Sequence, residues 1–423
     1  LANQIITNQI IAREFIRISR NTNAFLKALN TQYDSSFARS GAKVGQSIRI
    51  RLPVDYALRT GPTAIVQDSV QKSVNLTVAT QTGVDMGFSS VDRTMSIDRF
   101  NENFIEPAVN RVVGGLASAG MAMMEGGING SGGVPNWSAN QDPATGALLA
   151  PVMKTWLDGK ASLHNNAVPT TDFKAVIAPN SESTVVSSLA GYFNSQATIA
   201  KQYDNGEMMH ALGFDWMTDQ TVTVHTTGAY AVNPTWTVGK GFAATTVAGA
   251  NQTGNSLVVS ALAGPLKAGD IIAVDGVFGV NTINKMTTGR LRHFNVTANV
   301  AAGSTVIPIY PAISGPDGLG NEVAYQTVTA SPANAAQVYV TAAPGSMYRK
   351  NIVFVPKAMT FATVDLEMPP NVECAREVFD NVSVRVVTQY FGMSDNIVTR
   401  LDVLSGFALL KPEWCAVVPD PIY

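Results

Sequence analysis

The sequence predicts an α+β protein built from a long helix, a mixed α/β body and a small β-barrel inserted into that body. Three observations carry this prediction. The longest helical pattern, from Ser96 to about Glu125, has a broad apolar face. Strand and helix patterns alternate from Thr145 to about Ala190, as a layered α/β region requires. Composition then breaks near His225: Thr226 to Pro344 is rich in Gly, Thr, Ala and Val, with almost no helical period.

Residues 5–29 read as an amphipathic helix. Ile6, Ile10, Phe15, Ile18, Phe25 and Leu29 recur near a helical period, with Arg13, Arg17 and Arg20 beside them. Asn21, Thr22 and Asn23 are poor helix formers and can split it into two pieces. The apolar stripe is too thin for a core of its own, so this arm must pack on something. It is also basic. Residues 1–51 carry eight Lys and Arg against Glu14 and Asp34, a net +6, which leaves −8 for the remainder of a chain with net charge −2. That asymmetry fits an arm that reaches a partner, and equally a helix with a solvated basic face.

The pattern then changes to period two. Ile48, Ile50 and Leu52 face one way and Arg49 and Arg51 the other; Val74, Leu76 and Val78 alternate in the same manner. The stretch between them, Asp55–Lys72 with Gly61-Pro62, is too long for a tight turn. The prediction is a long two-stranded ribbon with an extended polar tip, marginal alone and stabilised by lying on a neighbour.

In the long helix, Ser96 is placed as the N-cap, with Asp98 and Glu102 in the early turns. Pro107 sets a kink or a break. Gly114, Gly115 and Gly120 soften the later half or allow close approach of another backbone, and Gly126-Gly127 ends the helix before a glycine-rich loop to Pro135. Thr145–His164 reads as a helix burying Leu148, Leu149, Val152, Trp156 and Leu157. Phe173–Ala178 reads as a buried strand ended by Pro179, and Ser181 as the cap of a helix to about Ala190. Beyond His225, β-rich runs fall at Ser256–Val259, Asp270–Val274, Thr305–Tyr310 and Val338–Thr341, separated by turn signals such as Lys267–Asp270 and Asp275-Gly276. About 120 residues of this kind predict a small barrel. After Pro344, Ile352–Val355, Val382–Val387 and Phe407–Leu410 read as strands of the body and a final sheet.

The 423 residues supply two to four domains at roughly 100–200 residues each. Apolar residues make up 46% and charged residues 14%; the low charge implies a surface largely covered by something else, while the apolar share excludes general disorder. The balanced net charge gives no global nucleic-acid or membrane signal. Cys374 and Cys415 cannot make a disulfide framework and fit a reduced compartment. No apolar run is long enough to span a membrane, and the amphipathic start lacks a signal-peptide core. A chain that opens at Leu1 implies a start removed by numbering or processing.

Little points to chemistry. Gly239-Lys240 lacks the earlier glycine of a phosphate-binding loop, and the Gly126–Gly133 cluster reads as a connector. His164, His210, His225 and His293 show no metal-ligand spacing, and no nucleophile elbow is present. Asp365 and Glu367 share one face of a strand pattern, which reads as an ion-paired or solvated face in preference to an acid/base pair. No catalytic, cofactor or metal site is predicted.

The order of basic arm, ribbon, long helix, α/β body, β-barrel insert and closing strands resembles the major capsid proteins of tailed double-stranded DNA bacteriophages, with the Hong Kong ninety-seven fold. Within them it is similar to the short-tailed-phage coat proteins that carry an insertion domain. The resemblance is carried by Ser96–Glu125, like the family's spine helix, and by Leu212-Gly213-Phe214-Asp215 before a strand. It is carried also by Leu266–Ile271, like the insertion-domain hairpin, and by Leu404-Ser405-Gly406-Phe407, like the closing segment. It implies an N-terminal arm at 1–45, an extended-loop ribbon at 46–90 and a spine helix at 91–135. It further implies an axial α/β domain beginning at 136–225, an inserted barrel at 226–345 and closing strands at 346–423. It implies a non-enzymatic subunit that self-assembles into hexamers and pentamers of an icosahedral head around double-stranded DNA. The implied partners are copies of itself, a scaffolding protein, a portal protein, packaged DNA and in some relatives a decoration protein, with assembly in the host cytoplasm and no membrane. The candidate assembly contacts are Arg13, Arg17 and Arg20 of the arm, which could also meet DNA by charge neutralisation, and Arg59, Asp68 and Lys72 of the ribbon. Some relatives join subunits through Lys–Asn bonds; no motif around Lys72 matches, and none is expected. The alternatives from other classes are a β-rich adhesin and a phage-encoded enzyme; the first lacks repeats and the second a convergent polar site.

Overall fold

The computed structural model describes residues 11–12, 24–30, 47–58, 61–62, 66, 71–89, 106–126, 132–169, 171–189, 210–317, 321–379, 382–392 and 396–422. Two compact units divide the chain: one from Leu1–Ile50, Asn75–Gly120 and Met359–Ala408, the other from Arg51–Val74, Met121–Ala358 and Leu409–Tyr423.

The first unit is built on a five-stranded sheet. Its strands run in the order Met359–Val364, Asn396–Leu409, Val382–Phe391, Glu373–Phe379, and Thr80–Ser89 also pairs with Asn396–Leu409. That last pairing is antiparallel and ten residues long, from Asn396 opposite Ser89 to Ser405 opposite Thr80. Thr82, Val84 and Met86 alternate with Gly83, Asp85 and Gly87 there, a period-two signal that the sequence reading passed over. Beside the sheet lies the helix Glu106–Ala122. Pro107 is the second residue of the described helix; the stretch before it, with the expected cap at Ser96 and any break at Pro107, lies outside the described residues. Gly120 serves side chains, not another backbone: a Cβ there would meet Phe25 Cε1 at 2.8 Å and Phe407 Cε1 at 3.0 Å. Phe407 stacks in turn on Phe361, 4.8 Å between ring centres. Of the arm, Ala24–Ala28 is helical and Asn30 bridges to Thr360. Asp365 falls just past the end of Met359–Val364, and it pairs with Arg376 at 3.5 Å. The carboxylates at 365 and 367 are therefore not on a strand face.

The ribbon forms as expected. Ser47–Arg51 and Ser73–Thr77 make a two-stranded sheet, extended by the Leu52 N–H donating to the Lys72 carbonyl at 2.9 Å. Ile50 and Leu76 are buried while Arg49, Arg51 and Asn75 are exposed, as the alternation requires.

The second unit holds two sheets. In the body sheet, Asn136–Trp137, Cys415–Pro421, Met347–Phe354, Lys174–Ile177, Phe214–Thr218 and His210–Ala211 lie side by side, and Val224–Thr226 also pairs with Met347–Phe354. The last two strands form a hairpin whose turn residues, Leu212 at φ 58° and Gly213 at φ 75°, take the left-handed pair that matches strand twist. Trp156, Leu163, Phe173, Val185, Phe214 and Val353 build the core between this sheet and the helices Met153–Asn165 and Pro179–Leu189. Two expectations need correction. The first of these helices starts at Met153, not Thr145. Gly146 turns at φ 72°, Leu148–Leu149 is a strand paired to Asn140–Gln141, and Pro151 disfavours helix in the residue before it. Ser181 lies inside the second helix and is no cap: its buried hydroxyl donates to Asp420 Oδ2 at 2.5 Å and accepts from Asn351 Nδ2 at 3.1 Å.

The second sheet of this unit runs Trp236–Thr237, Gly241–Thr246, Gln337–Val340, Ile271–Val280, Thr287–Val296, Val306–Ile313, Gly254–Val258. Its ends meet. Val247 bridges Val259, with Ala248 N–H donating to the Val258 carbonyl at 3.0 Å and Ser260 N–H to the Thr246 carbonyl at 2.8 Å. Six strands thus close into a barrel, which removes the free edges an open sheet would present. Its interior is apolar, with Tyr230, Leu257, Ile272, Phe294, Ile307 and Val338 all fully enclosed. The sequence reading missed Gly241–Thr246 and Thr287–Val296. The second carries Arg290, Arg292 and His293 and is bulged against its partner, so its alternation reads as polar.

Candidate functional site

Of the candidate assembly contacts, Arg13, Arg17, Arg20, Arg59 and Asp68 lie outside the described residues. Lys72 is described: its ammonium sits 4.0 Å from the centre of the Tyr325 ring. Burial pulls its pKa below the usual lysine value, against the pull of Glu413 and Asp55. Asp55, in the segment that joins the two ribbon strands, accepts from Lys285 Nζ at 2.6 Å and from the Tyr325 N–H at 3.0 Å. The segment joining the two ribbon strands is thus tied to the barrel of its own chain by one ion pair and one cation–ring contact.

The densest polar construction lies where the barrel joins the body, and the sequence reading did not see it. The chain leaves the body sheet on Val224–Thr226 and returns on Met347–Phe354. These two strands are antiparallel neighbours, with His225 opposite Tyr348 and Thr226 opposite Met347. His225 is buried between two carboxylates. Its Nε2 lies 2.9 Å from Asp270 Oδ1, in the turn that opens a barrel strand, and its Nδ1 lies 3.5 Å from Glu125 Oε1, at the end of the long helix. Asp270 also accepts from the Lys267 N–H at 2.8 Å and the Gly228 N–H at 3.2 Å. Lys350, 1% exposed, donates to the Gly269 carbonyl at 3.2 Å and lies 3.9 Å from Glu125 Oε1. Burial pulls the Lys350 pKa down, opposed by Glu125 and Asp270. Burial would raise the Glu125 carboxyl, but the hydrogen bond from His225 and the charge of Lys350 outweigh it and hold it low. Asn295 adds a second tie, its Nδ2 donating to the Glu125 and Gly132 carbonyls at 3.1 and 2.9 Å. Nothing in sequence spacing links residues 125, 225, 270, 295 and 350; only the pairing of entry and exit strands brings them together.

The geometry offers positioning, not reaction chemistry. The cluster is enclosed, its carboxylates are already hydrogen-bonded, and no group of three or more His, Cys, Asp or Glu among the described residues could hold a metal ion. No described helix is long and apolar enough to cross a membrane. Cys374 and Cys415 are both free thiols.

Comparison with known proteins gives the class. Residues 143–418 match the family P22 coat protein, gene protein 5. Among solved structures the chain is similar to "Capsid of Ralstonia phage GP4", at 8% identity over 93% of this chain and 87% of that chain with TM-score 0.43. It is similar also to "Mycobacterium phage Che8", at 8% identity over 93% and 90% with TM-score 0.43. The "CUS-3 coat protein I-domain" aligns at 23% identity over 23% of this chain and 94% of that chain, TM-score 0.19. No curated protein matches the chain in sequence. The fold is α+β, and the class of the chain is the phage coat protein. The chain belongs to the P22 coat protein family. Its role is structural, in the virion capsid.

Proposed function

We propose that this chain is the major capsid protein of a short-tailed phage, assembling into hexamers and pentamers of an icosahedral head that encloses double-stranded DNA. The observation that carries this reading is the match of residues 143–418 to the P22 coat protein family, in a chain whose closed barrel is inserted between the paired body strands Val224–Thr226 and Met347–Phe354. The segment 226–345 is the inserted barrel domain, supported by its closed strand order and its own apolar core. The further divisions at 1–45, 46–90, 91–135, 136–225 and 346–423 follow the same plan.

Arg13, Arg17 and Arg20 of the basic arm meet scaffolding protein during assembly and packaged DNA afterwards. Arg59, Asp68 and Lys72 contribute lateral contacts, each worth only about 0–1 kcal/mol at an exposed boundary but repeated over the whole shell. A portal protein occupies one vertex, assembly takes place in the host cytoplasm, and the subunit catalyses no reaction. Co-expression with the phage scaffolding protein followed by electron microscopy tests the proposal. Closed shells of uniform diameter are expected; small dispersed oligomers under every condition would overturn it.

A further inference from the structure

The second unit contains a cavity of about 280 Å³, walled by the segment joining the ribbon strands, the outer surface of the barrel and the loop at 410–414. It is large enough for a small ion with several waters. Three cations line it, Lys72, Arg292 and Lys411, and none has a carboxylate within ion-pair distance among the described residues. Lys72 and Lys411 instead sit over aromatic rings, each 4.0 Å from the centre of Tyr325 or Trp414. Arg292 is 8% exposed; its Nη1 donates to Asn166 Oδ1 at 3.2 Å, while its Nε is buried with no hydrogen-bond partner. The two carboxylates that line the space are already engaged, Asp55 with Lys285 and Glu413 with the Tyr310 hydroxyl at 2.9 Å. Four cations, counting Lys285, therefore surround two carboxylates, an excess of two positive charges in a half-enclosed space. Burial lowers the pKa of Lys72, Arg292 and Lys411 alike, so each is less stable as a cation here than in water.

A second orphan narrows the ligand. Gln326 is 8% exposed and lines the same cavity. Its Nε2 donates to the Val328 carbonyl at 3.0 Å, which fixes the amide orientation, and its Oε1 is left buried with no donor. A simple anion satisfies the cations but offers Gln326 nothing. An anion that also carries an O–H satisfies both.

We propose that this cavity binds a doubly charged oxyanion bearing a hydroxyl, of which hydrogen phosphate is the simplest. Lys72, Lys411 and Arg292 supply the charge and donors, and Gln326 Oε1 accepts the hydroxyl proton. Charge-assisted hydrogen bonds of this kind are the strong ones, and an unmet buried polar atom is the costly one. The bound ion would staple the segment joining the ribbon strands, the barrel and the loop within one subunit. This assignment gives Lys72 a role inside its own subunit in place of a lateral contact, and is otherwise independent of the assembly reading.

Isothermal titration of the full-length, unassembled subunit tests it, with inorganic phosphate and sulfate each added at constant ionic strength in chloride. One saturable phosphate site per chain is expected, with sulfate, equal in charge but without a hydroxyl, about tenfold weaker. Gln326→Leu should abolish that preference while keeping sulfate binding. Lys72→Gln, which removes the charge and keeps a polar side chain, should weaken both anions about tenfold. Absence of saturable phosphate binding, equal binding of the two anions by the unaltered chain, or unchanged affinity in Lys72→Gln would each overturn the assignment.

Discussion

Asp270→Ala should loosen the joint between barrel and body more than any surface change. The Asp270 side chain is fully buried, and its two oxygens serve the Lys267 N–H, the Gly228 N–H and the His225 ring. Alanine removes the acceptor from all three at once. A buried donor left unmet costs about 1–3 kcal/mol. Gly228 and His225 are deep and count in full, while Lys267 lies nearer the surface and counts for less. The expected loss is about 3–5 kcal/mol, the range found when one member of a buried charged pair is deleted. That is a large part of the roughly 5–15 kcal/mol that holds a typical domain folded. Urea unfolding of the unassembled subunit, followed by tryptophan fluorescence, measures it. The control is Asp275→Ala, which breaks the Lys240–Asp275 pair, whose side chains are 37% and 41% exposed; its loss should stay within about 1 kcal/mol. If the two variants unfold at the same urea concentration, the buried cluster is not the anchor described above.

Four further outcomes are expected. His293 is pushed down to about 4 by burial and by Arg292 and Arg290 beside it. Its neutral form is favoured in the fold, so its contribution is complete above the unfolded value near 6.5 and is lost as pH falls from there towards 4. For a half-buried residue this amounts to about 1–2 kcal/mol, and a stability–pH curve for His293→Gln should be flatter across that window. A thiol reagent should label half-buried Cys374 in the native chain and spare Cys415, whose thiol is pushed up by burial and by Glu413; equal labelling, read by mass spectrometry, would refute this. Residues 226–345 expressed alone should give dispersed amide spectra, since the barrel closes on its own core; collapsed spectra would count against an autonomous fold. Arg59→Glu should leave unfolding of the free subunit within about 0.5 kcal/mol of the parent yet lower the yield of shells on sedimentation; normal shells would remove Arg59 from the contact set.

Where period and composition agree, the sequence discloses the fold. Ile48, Ile50, Leu76 and Val78 alternate cleanly and become the ribbon, and the glycine- and threonine-rich break at His225 marks where the barrel begins. Where local signals compete, it does not. Leu148 and Leu149 fit a helical stripe, but Gly146 and Pro151 on either side forbid the helix and leave a strand. Thr287–Val296 carries Arg290, Arg292 and His293 beside buried Phe294 and Val296, so its alternation is masked by polar residues and by the bulge against its partner strand. The buried cluster was least legible of all. Glu125, His225, Asp270 and Lys350 are ordinary residues spread over 226 positions, and their meeting depends on a strand pairing that no local pattern encodes.

That pairing also explains how an insert of this size coexists with the body sheet. Because Val224–Thr226 and Met347–Phe354 are hydrogen-bonded neighbours, the sheet is continuous whether the chain between them is a short turn or a whole barrel. Loop closure then costs little, since its entropy grows only with the logarithm of length. Apolar burial inside the barrel stabilises it without fixing its direction, because the hydrophobic effect is non-directional. Direction comes from the polar ties at the root: His225 against Asp270, Lys350 against the Gly269 carbonyl, Asn295 against Glu125 and Gly132. Each joins a barrel residue to a body residue with a defined donor and acceptor, and each is buried where a misaligned partner would be expensive. A shell subunit needs that rigidity, because an angular error at the barrel's root would be repeated in every copy around it.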